Sequence, residues 1–371
     1  MKTLLDTGCH IVAQAVKSAK VDVVSAYPIT PQTSVVEEIA DMVDRGELDC
    51  RFLAVEGEHS AMAACTAASA AGARVFTATS SQGLLYMHEV LHMASGGRLP
   101  LVMLNANRAV FAPWCLFVDH NDALSQRDTG WLQFFCGSLQ EVYNTIIQSY
   151  KIAETLNLPV MVNMDGFILS HCTMSVDIPD QELIDSYLGI RQPLWALDPK
   201  HPNAWSCVTP ELPYAHYRAT LQRDIMSAFP VVKQAAEEYR ALTGMWEGDL
   251  FETYRNEDAE IFVLSMGSMA DEMRLTIDML REKGLKIGAL RLRLFRPFPA
   301  EELSALLPAG AKLLVLDRNY GFGTGGGILY QEAKSALFDR AGELTVKNKI
   351  MGIGGNDISA ADMAAEIQSL L

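Results

Sequence analysis

From residue 7 to 165 the apolar positions repeatedly switch period, and each switch marks a new element. Ile11, Val12, Ala15 and Val16 recur at helical steps, which predicts a helix over 8–19. The short, mostly apolar run 21–26 then predicts a strand. Val35, Val36, Ile39 and Met42 form a buried stripe along a helix over 33–43. The alternation continues with a strand over 51–55, a helix over 59–71, a strand over 74–79 and a helix over 82–94. It closes with a strand over 99–105, a helix over 139–156 and a strand over 159–164. Short apolar strands alternating with helices predict an α/β fold, its parallel sheet covered on both faces.

The pattern fades between 176 and 258. Prolines at 179, 193, 199, 202, 210, 213 and 230 interrupt it, beside Trp195 and Trp205. This predicts an irregular arm wrapping over the first domain and ending in a helix over 231–241. The rhythm then returns: strand 260–266, helix 269–283, strand 286–294, helix 299–306, strand 312–316 and helix 328–338. The expected plan is an α/β domain over 1–175, a Pro-rich arm over 176–258 and a smaller α/β domain over 259–371.

Composition narrows the function. A formal charge of −15, with no Lys/Arg run, excludes nucleic acid as a partner. Seven cysteines, at 9, 50, 65, 115, 136, 172 and 207, include no C-x-x-C pair, so neither an iron–sulfur cluster nor a zinc site is expected on this chain. No run of 18 apolar residues spans a membrane, and residues 1–6 lack the apolar core of a signal peptide. A reduced, cytoplasmic protein is expected.

The chemistry-bearing residues cluster where strands end. Tyr27-Pro28-Ile29-Thr30-Pro31-Gln32-Thr33 follows one strand, and Val55-Glu56-Gly57-Glu58-His59 follows the next. Open α/β sheets bind ligands at this edge. Carboxylates here either favour the start of a helix or accept from a heterocycle. Arg108, after the strand over 99–105, suits bidentate capture of a carboxylate, with a structural ion pair as the equal alternative. Asp119-His120-Asn121-Asp122 matches no standard metal spacing and reads as a polar loop. Gly321 to Gly327 contains G-x-G-x-x-G, but no acidic residue clearly follows at the right distance. Tight packing is the better reading there, and a nicotinamide-dependent dehydrogenase the lesser one. The helix over 60–72 is built almost entirely from small residues, which either allow close packing or simply favour helix.

Five segments stand in a recognisable order: Tyr27-Pro28-Ile29-Thr30-Pro31, Val55-Glu56-Gly57-Glu58-His59-Ser60-Ala61, Phe76-Thr77-Ala78-Thr79-Ser80-Ser81-Gln82-Gly83-Leu84, Asn107-Arg108-Ala109 and Arg127-Asp128-Thr129-Gly130-Trp131. Together they resemble the alpha subunit of the 2-oxoacid:ferredoxin oxidoreductases, the multi-subunit pyruvate type in particular. The resemblance continues through Leu294-Phe295-Arg296-Pro297-Phe298-Pro299 and the Gly-rich turn.

The resemblance implies a pyrimidine-type domain that binds thiamine diphosphate and a smaller, transketolase C-terminal-like domain. It implies CoA-dependent oxidative decarboxylation of a 2-oxo acid, pyruvate first, with electrons passed to ferredoxin. By resemblance, Glu56 is the carboxylate that activates the aminopyrimidine ring, Thr30 contacts the substrate and Arg108 holds its carboxylate. Pro28, Ile29, Ser81 and Gln82 are implied beside the cofactor.

Gly-Asp-Gly and Asn-Asn, which usually anchor the diphosphate and Mg²⁺, are absent from this sequence. The resemblance therefore implies half a site. A beta-type subunit completes it, while gamma-type and ferredoxin-like subunits help bind CoA and carry the iron–sulfur clusters. Val110 to Phe117 departs from the pyruvate type by placing Phe111, Trp114 and Phe117 near Arg108. That leaves an aromatic acid such as phenylglyoxylate, with NAD as final acceptor, as one alternative, and a non-catalytic scaffold as another.

Overall fold

A computed structural model describes residues 1–369, so the last two residues of the expected third segment lie outside the described residues. Seven strands form the larger sheet, in the order Leu294–Arg296, Leu132–Phe135, Val160–Asp165, Val102–Asn107, Val75–Thr79, Val23–Ala26 and Arg51–Ala54. All neighbours are parallel except the first pair. The three central strands are buried at every residue, which is why they read as continuous apolar runs. Arg51–Ala54 lies at the margin and is only partly covered.

A second, five-stranded sheet runs Thr345–Ile350, Lys312–Asp317, Ile261–Ser265, Ile287–Leu292 and Phe251–Tyr254, the last of them antiparallel. A small antiparallel ribbon pairs Lys2–Thr7 with Thr173–Ile178. The two sheets are tied together. The Leu294–Arg296 strand leaves the second region of the chain to pair with Leu132–Phe135. Beside it, buried Glu141 sits between Arg291 and Arg293, at 2.6 and 2.5 Å. A carboxylate this far from water is tolerated because it is paired.

The arm corrects the sequence reading in part, since only the last of its helices was expected. It holds three helices, Gln181–Leu188, Glu211–Met226 and Ala228–Thr243. Pro210 caps one helix and Pro213 lies in its first turn, while Pro230 lies in the first turn of the next. There a missing N–H breaks no helical bond, so these prolines start helices. The stretch between 190 and 210 is irregular and does lie on the first domain, through Leu197 N–H to the Ala70 carbonyl and Trp205 Nε1 to the Gly97 carbonyl.

The expected helix over 82–94 is two helices, Ser81–Tyr86 and His88–Gly96. Met87 N–H reaches the carbonyls of both Gly83 and Leu84 where they meet. The Leu132–Phe135, Thr345–Ile350 and ribbon strands and the helix Ala360–Gln368 went unpredicted.

Candidate active site

The carboxyl ends of four adjacent parallel strands bring Thr30, Glu58, Gln82 and Arg108 to one edge of the larger sheet. Gln32 is fully buried and donates to the Tyr27 carbonyl at 2.8 Å, closing the loop that carries Pro28, Ile29 and Thr30. Pro28 and Thr30 are exposed and Ile29 is half-buried. Arg108 is only 4% exposed. Its Nη1 donates to the Thr30 carbonyl at 2.9 Å, so the structure joins two residues 78 apart in sequence. Its Nε has no partner among the described residues. Burial pulls the guanidinium pKa down from its usual value. A buried cation with an idle donor is well suited to an anionic ligand.

Of the two carboxylates at this edge, Glu58 and not Glu56 turns inward. Glu56 is exposed, and the Ser60 hydroxyl, donating to it, lowers its pKa. Glu58, the first residue of the helix Glu58–Ala70, is 9% exposed and accepts no hydrogen bond among the described residues. Its carboxylate lies against Gly83, where an added Cβ would stand 2.7 Å from Glu58 Oε1 and 2.5 Å from Thr79 Oγ1. Any side chain at 83 would therefore displace both groups.

Thr79 Oγ1 and both polar atoms of the Gln82 side chain are buried without partners. Unpartnered buried polar atoms are costly and rare. A carboxylate and an idle hydroxyl meeting at Gly83, with an idle amide on the preceding residue, suit a heterocycle carrying both donors and acceptors, as an aminopyrimidine does. Ser81 does not belong to that group. It is fully buried at φ 47°, and its hydroxyl donates to the Ala109 carbonyl at 2.7 Å, so it shapes the turn instead of facing a ligand.

Beneath these residues lies a polar layer that the sequence reading missed. Asn105 and Asn163 are register partners, as are Asn107 and Asp165. Polar residues two apart at the ends of otherwise apolar strands were the available signal. His120 Nε2 pairs with Asp165 Oδ1 at 2.8 Å. The other oxygen of Asp165 accepts from Ser268 N–H and Oγ, at 3.0 and 2.6 Å, and from Arg318 Nη1 at 3.1 Å. The polar loop thus ties the first sheet to the second. No three His, Cys, Asp or Glu among the described residues are grouped to hold a metal ion.

The Gly-rich turn is a packing turn. The N–H groups of Leu329 and Tyr330, which open the helix Ile328–Ala336, donate to Asp317 at 2.9 and 3.2 Å. A Cβ at Gly327 would stand 2.0 Å from Asp317 Cγ. A carboxylate already occupies the place a pyrophosphate would take, so the nicotinamide reading lapses.

Phe111 and Trp114 stack at 4.7 Å and are 51% and 70% exposed. The Trp114 ring lies 5.8 Å from the Arg108 guanidinium carbon. The loop is held to the second region by Gly354 N–H donating to the Val118 carbonyl at 2.9 Å. No helix among the described residues is long and apolar enough to cross a membrane.

Comparisons with known proteins show the family. Residues 14–237 match the family described as pyruvate flavodoxin/ferredoxin oxidoreductase, thiamine diphosphate-binding. Residues 259–363 match pyruvate:ferredoxin oxidoreductase core domain II. The ketoisovalerate oxidoreductase subunit VorA of Pyrococcus abyssi is 44% identical, across 97% of this chain and 91% of its own. The pyruvate synthase subunit PorA of Methanothermobacter thermautotrophicus is 45% identical, across 94% of this chain and 90% of its own. In structure, the chain is similar to the 2-oxoglutarate:ferredoxin oxidoreductase of Magnetococcus marinus, with TM-score 0.73 and 19% identity. That match spans 99% of this chain and 65% of the other and shows the shared fold. The chain belongs to the pyruvate flavodoxin/ferredoxin oxidoreductase family, among the alpha-type subunits of the 2-oxoacid:ferredoxin oxidoreductases.

Proposed function

We propose that this chain supplies one half of a thiamine-diphosphate-dependent site that converts a 2-oxo acid and CoA to acyl-CoA and CO₂. The observation that carries the reading is the set of buried, unpartnered polar atoms of Thr79 and Gln82, with the Glu58 carboxylate against Gly83 and the idle donor of Arg108. Bound thiamine diphosphate supplies the nucleophilic carbon and the electron sink. Glu58 and Gln82 would hold the aminopyrimidine ring when it is bound, Glu58 as the carboxylate that assists its acid–base chemistry and Gln82 as the amide that orients it. Pro28 and Ile29 form the wall beside it.

Arg108 holds the substrate carboxylate and the Thr30 hydroxyl donates to the substrate, fixing the 2-oxo carbon for attack. The contact to Arg108 weakens as CO₂ departs, so Arg108 acts in binding and positioning. Tyr27, Pro28, Thr30 and Glu56 are exposed at this edge. A beta-type subunit covers them and holds the diphosphate and Mg²⁺. Gamma-type and ferredoxin-like subunits bind CoA and pass electrons through iron–sulfur clusters to ferredoxin.

Pyruvate is the proposed substrate. The exposed Phe111–Trp114 stack favours a second reading, a bulkier acid such as phenylglyoxylate, with NAD as its final acceptor. The complex, purified with its natural partners, is assayed for thiamine- and CoA-dependent viologen reduction. Pyruvate, 3-methyl-2-oxobutanoate, phenylglyoxylate and 2-oxoglutarate are compared side by side. Reduction with pyruvate supports the first reading and reduction with phenylglyoxylate alone the second. Silence with all four points to the scaffold alternative.

A further inference from the structure

Asp122 is fully buried, and its carboxylate is where three segments meet. Oδ2 accepts from the Ser81 N–H, the Arg108 N–H and Asn105 Nδ2, each at 3.1 Å. Oδ1 accepts from Asn107 Nδ2 at 3.0 Å and from the Ala123 N–H at 2.7 Å. A carboxylate offers about four lone-pair sites, so these donors leave nothing for a ligand. Asp122 therefore touches no reacting atom.

Two of the donors are main-chain groups with strategic neighbours. The Ser81 N–H belongs to the left-handed residue directly before Gln82, at the start of the helix Ser81–Tyr86. The Arg108 N–H belongs to the residue whose guanidinium faces Thr30. Neither N–H can turn away without moving its backbone, so the carboxylate sets where both residues stand.

We propose that Asp122 is a positioning residue, whose single buried carboxylate fixes the spacing between the arginine that anchors the substrate and the turn that presents Gln82 to the cofactor. The inference rests on the thiamine-dependent reading of this site. Its chemistry is that of a neutral-donor hub, since no cationic side chain pairs with Asp122 among the described residues.

The test is Asp122→Asn in the assembled complex. An amide at 122 keeps the size but turns an N–H₂ toward donors on one side. Asn107 can answer by rotating its amide, because its Oδ1 has no partner. The main-chain donors cannot. Thiamine diphosphate affinity is measured by calorimetry with Mg²⁺, alongside KM for the 2-oxo acid and the thermal midpoint. Both Kd and KM are expected to rise about tenfold, the scale of one buried donor left unpaired.

A merely structural role lowers the amount of active complex, and hence the apparent kcat, and leaves both constants alone. That result in an assembled variant overturns the inference. If Asp122→Asn does not assemble, Asn107→Ala decides, since it removes one of the two donors to Oδ1 of the same carboxylate. A raised KM in that variant supports the role, and an unchanged KM overturns it. A wild-type complex that binds no thiamine diphosphate removes the functional reading and this inference together. Unchanged constants in a working wild-type background remove this inference alone.

Discussion

Two carboxylates two residues apart, Glu56 and Glu58, show what a sequence can and cannot say about a site. That acidic groups stand at a strand's ligand edge is plain from the apolar run before them. Which one turns inward depends on where strand gives way to helix, and Glu58 is the first helical residue. Helical geometry from that point aims Glu58 at Gly83 and leaves Glu56 in solvent beside Ser60. Arg108 was legible as a candidate for carboxylate capture, with an ion pair as the equal alternative, but its idle Nε and its bond to the Thr30 carbonyl needed the fold. Arg108→Lys keeps the charge and loses the planar fork. It is expected to raise KM for the 2-oxo acid about tenfold with kcat within a few-fold, the scale of one charge-assisted hydrogen bond. Steady-state kinetics of the complex check this, and an unchanged KM would contradict the anchoring role.

At the scale of elements, the central strands and the long helix Leu139–Leu156 were legible because both are buried nearly all round, which writes itself into recurring apolar positions. The arm was not. Its prolines look like breakers until their positions within the first turns are known, and the helix Glu211–Met226 buries only Leu221, so it has no apolar stripe to read. Leu132–Phe135 was too short, and its pairing with Leu294–Arg296 joins residues far apart in sequence.

The loop over 110–118 carries its own prediction. The Trp114 face contributes to the setting of Arg108 by about 0.5–1 kcal/mol, typical of an exposed cation–π contact. Trp114→Ala is therefore expected to raise KM about threefold for any 2-oxo acid. If the Phe111–Trp114 stack also seats an apolar side chain, the loss is larger for phenylglyoxylate than for pyruvate. Kinetics with both acids separate the two outcomes.

At the scale of the whole molecule, the two sheets are joined through Asp165. Burial alone would push its pKa up, but His120 and Arg318 beside it hold the carboxyl well below the usual range. A carboxyl depressed in the folded state stabilises the fold above its unfolded pKa of about 3.9, and that contribution is lost as pH falls below it. Asp165→Asn leaves a buried arginine unpaired and is expected to cost about 3–5 kcal/mol at pH 7. The gap from wild type should narrow below pH ~4. Urea unfolding at the two pH values measures this, and an equal gap at both contradicts the assignment.

The same view of the molecule, a polar half-site open on one side, makes its central claim testable in one comparison. Glu58→Gln and Glu56→Gln are assembled with the partner subunits and assayed for thiamine-dependent 2-oxo acid oxidation. The account expects Glu58→Gln to lose at least about 100-fold in kcat, the scale of acid–base assistance, and Glu56→Gln to stay within a few-fold of wild type. Near-normal turnover in Glu58→Gln would contradict it.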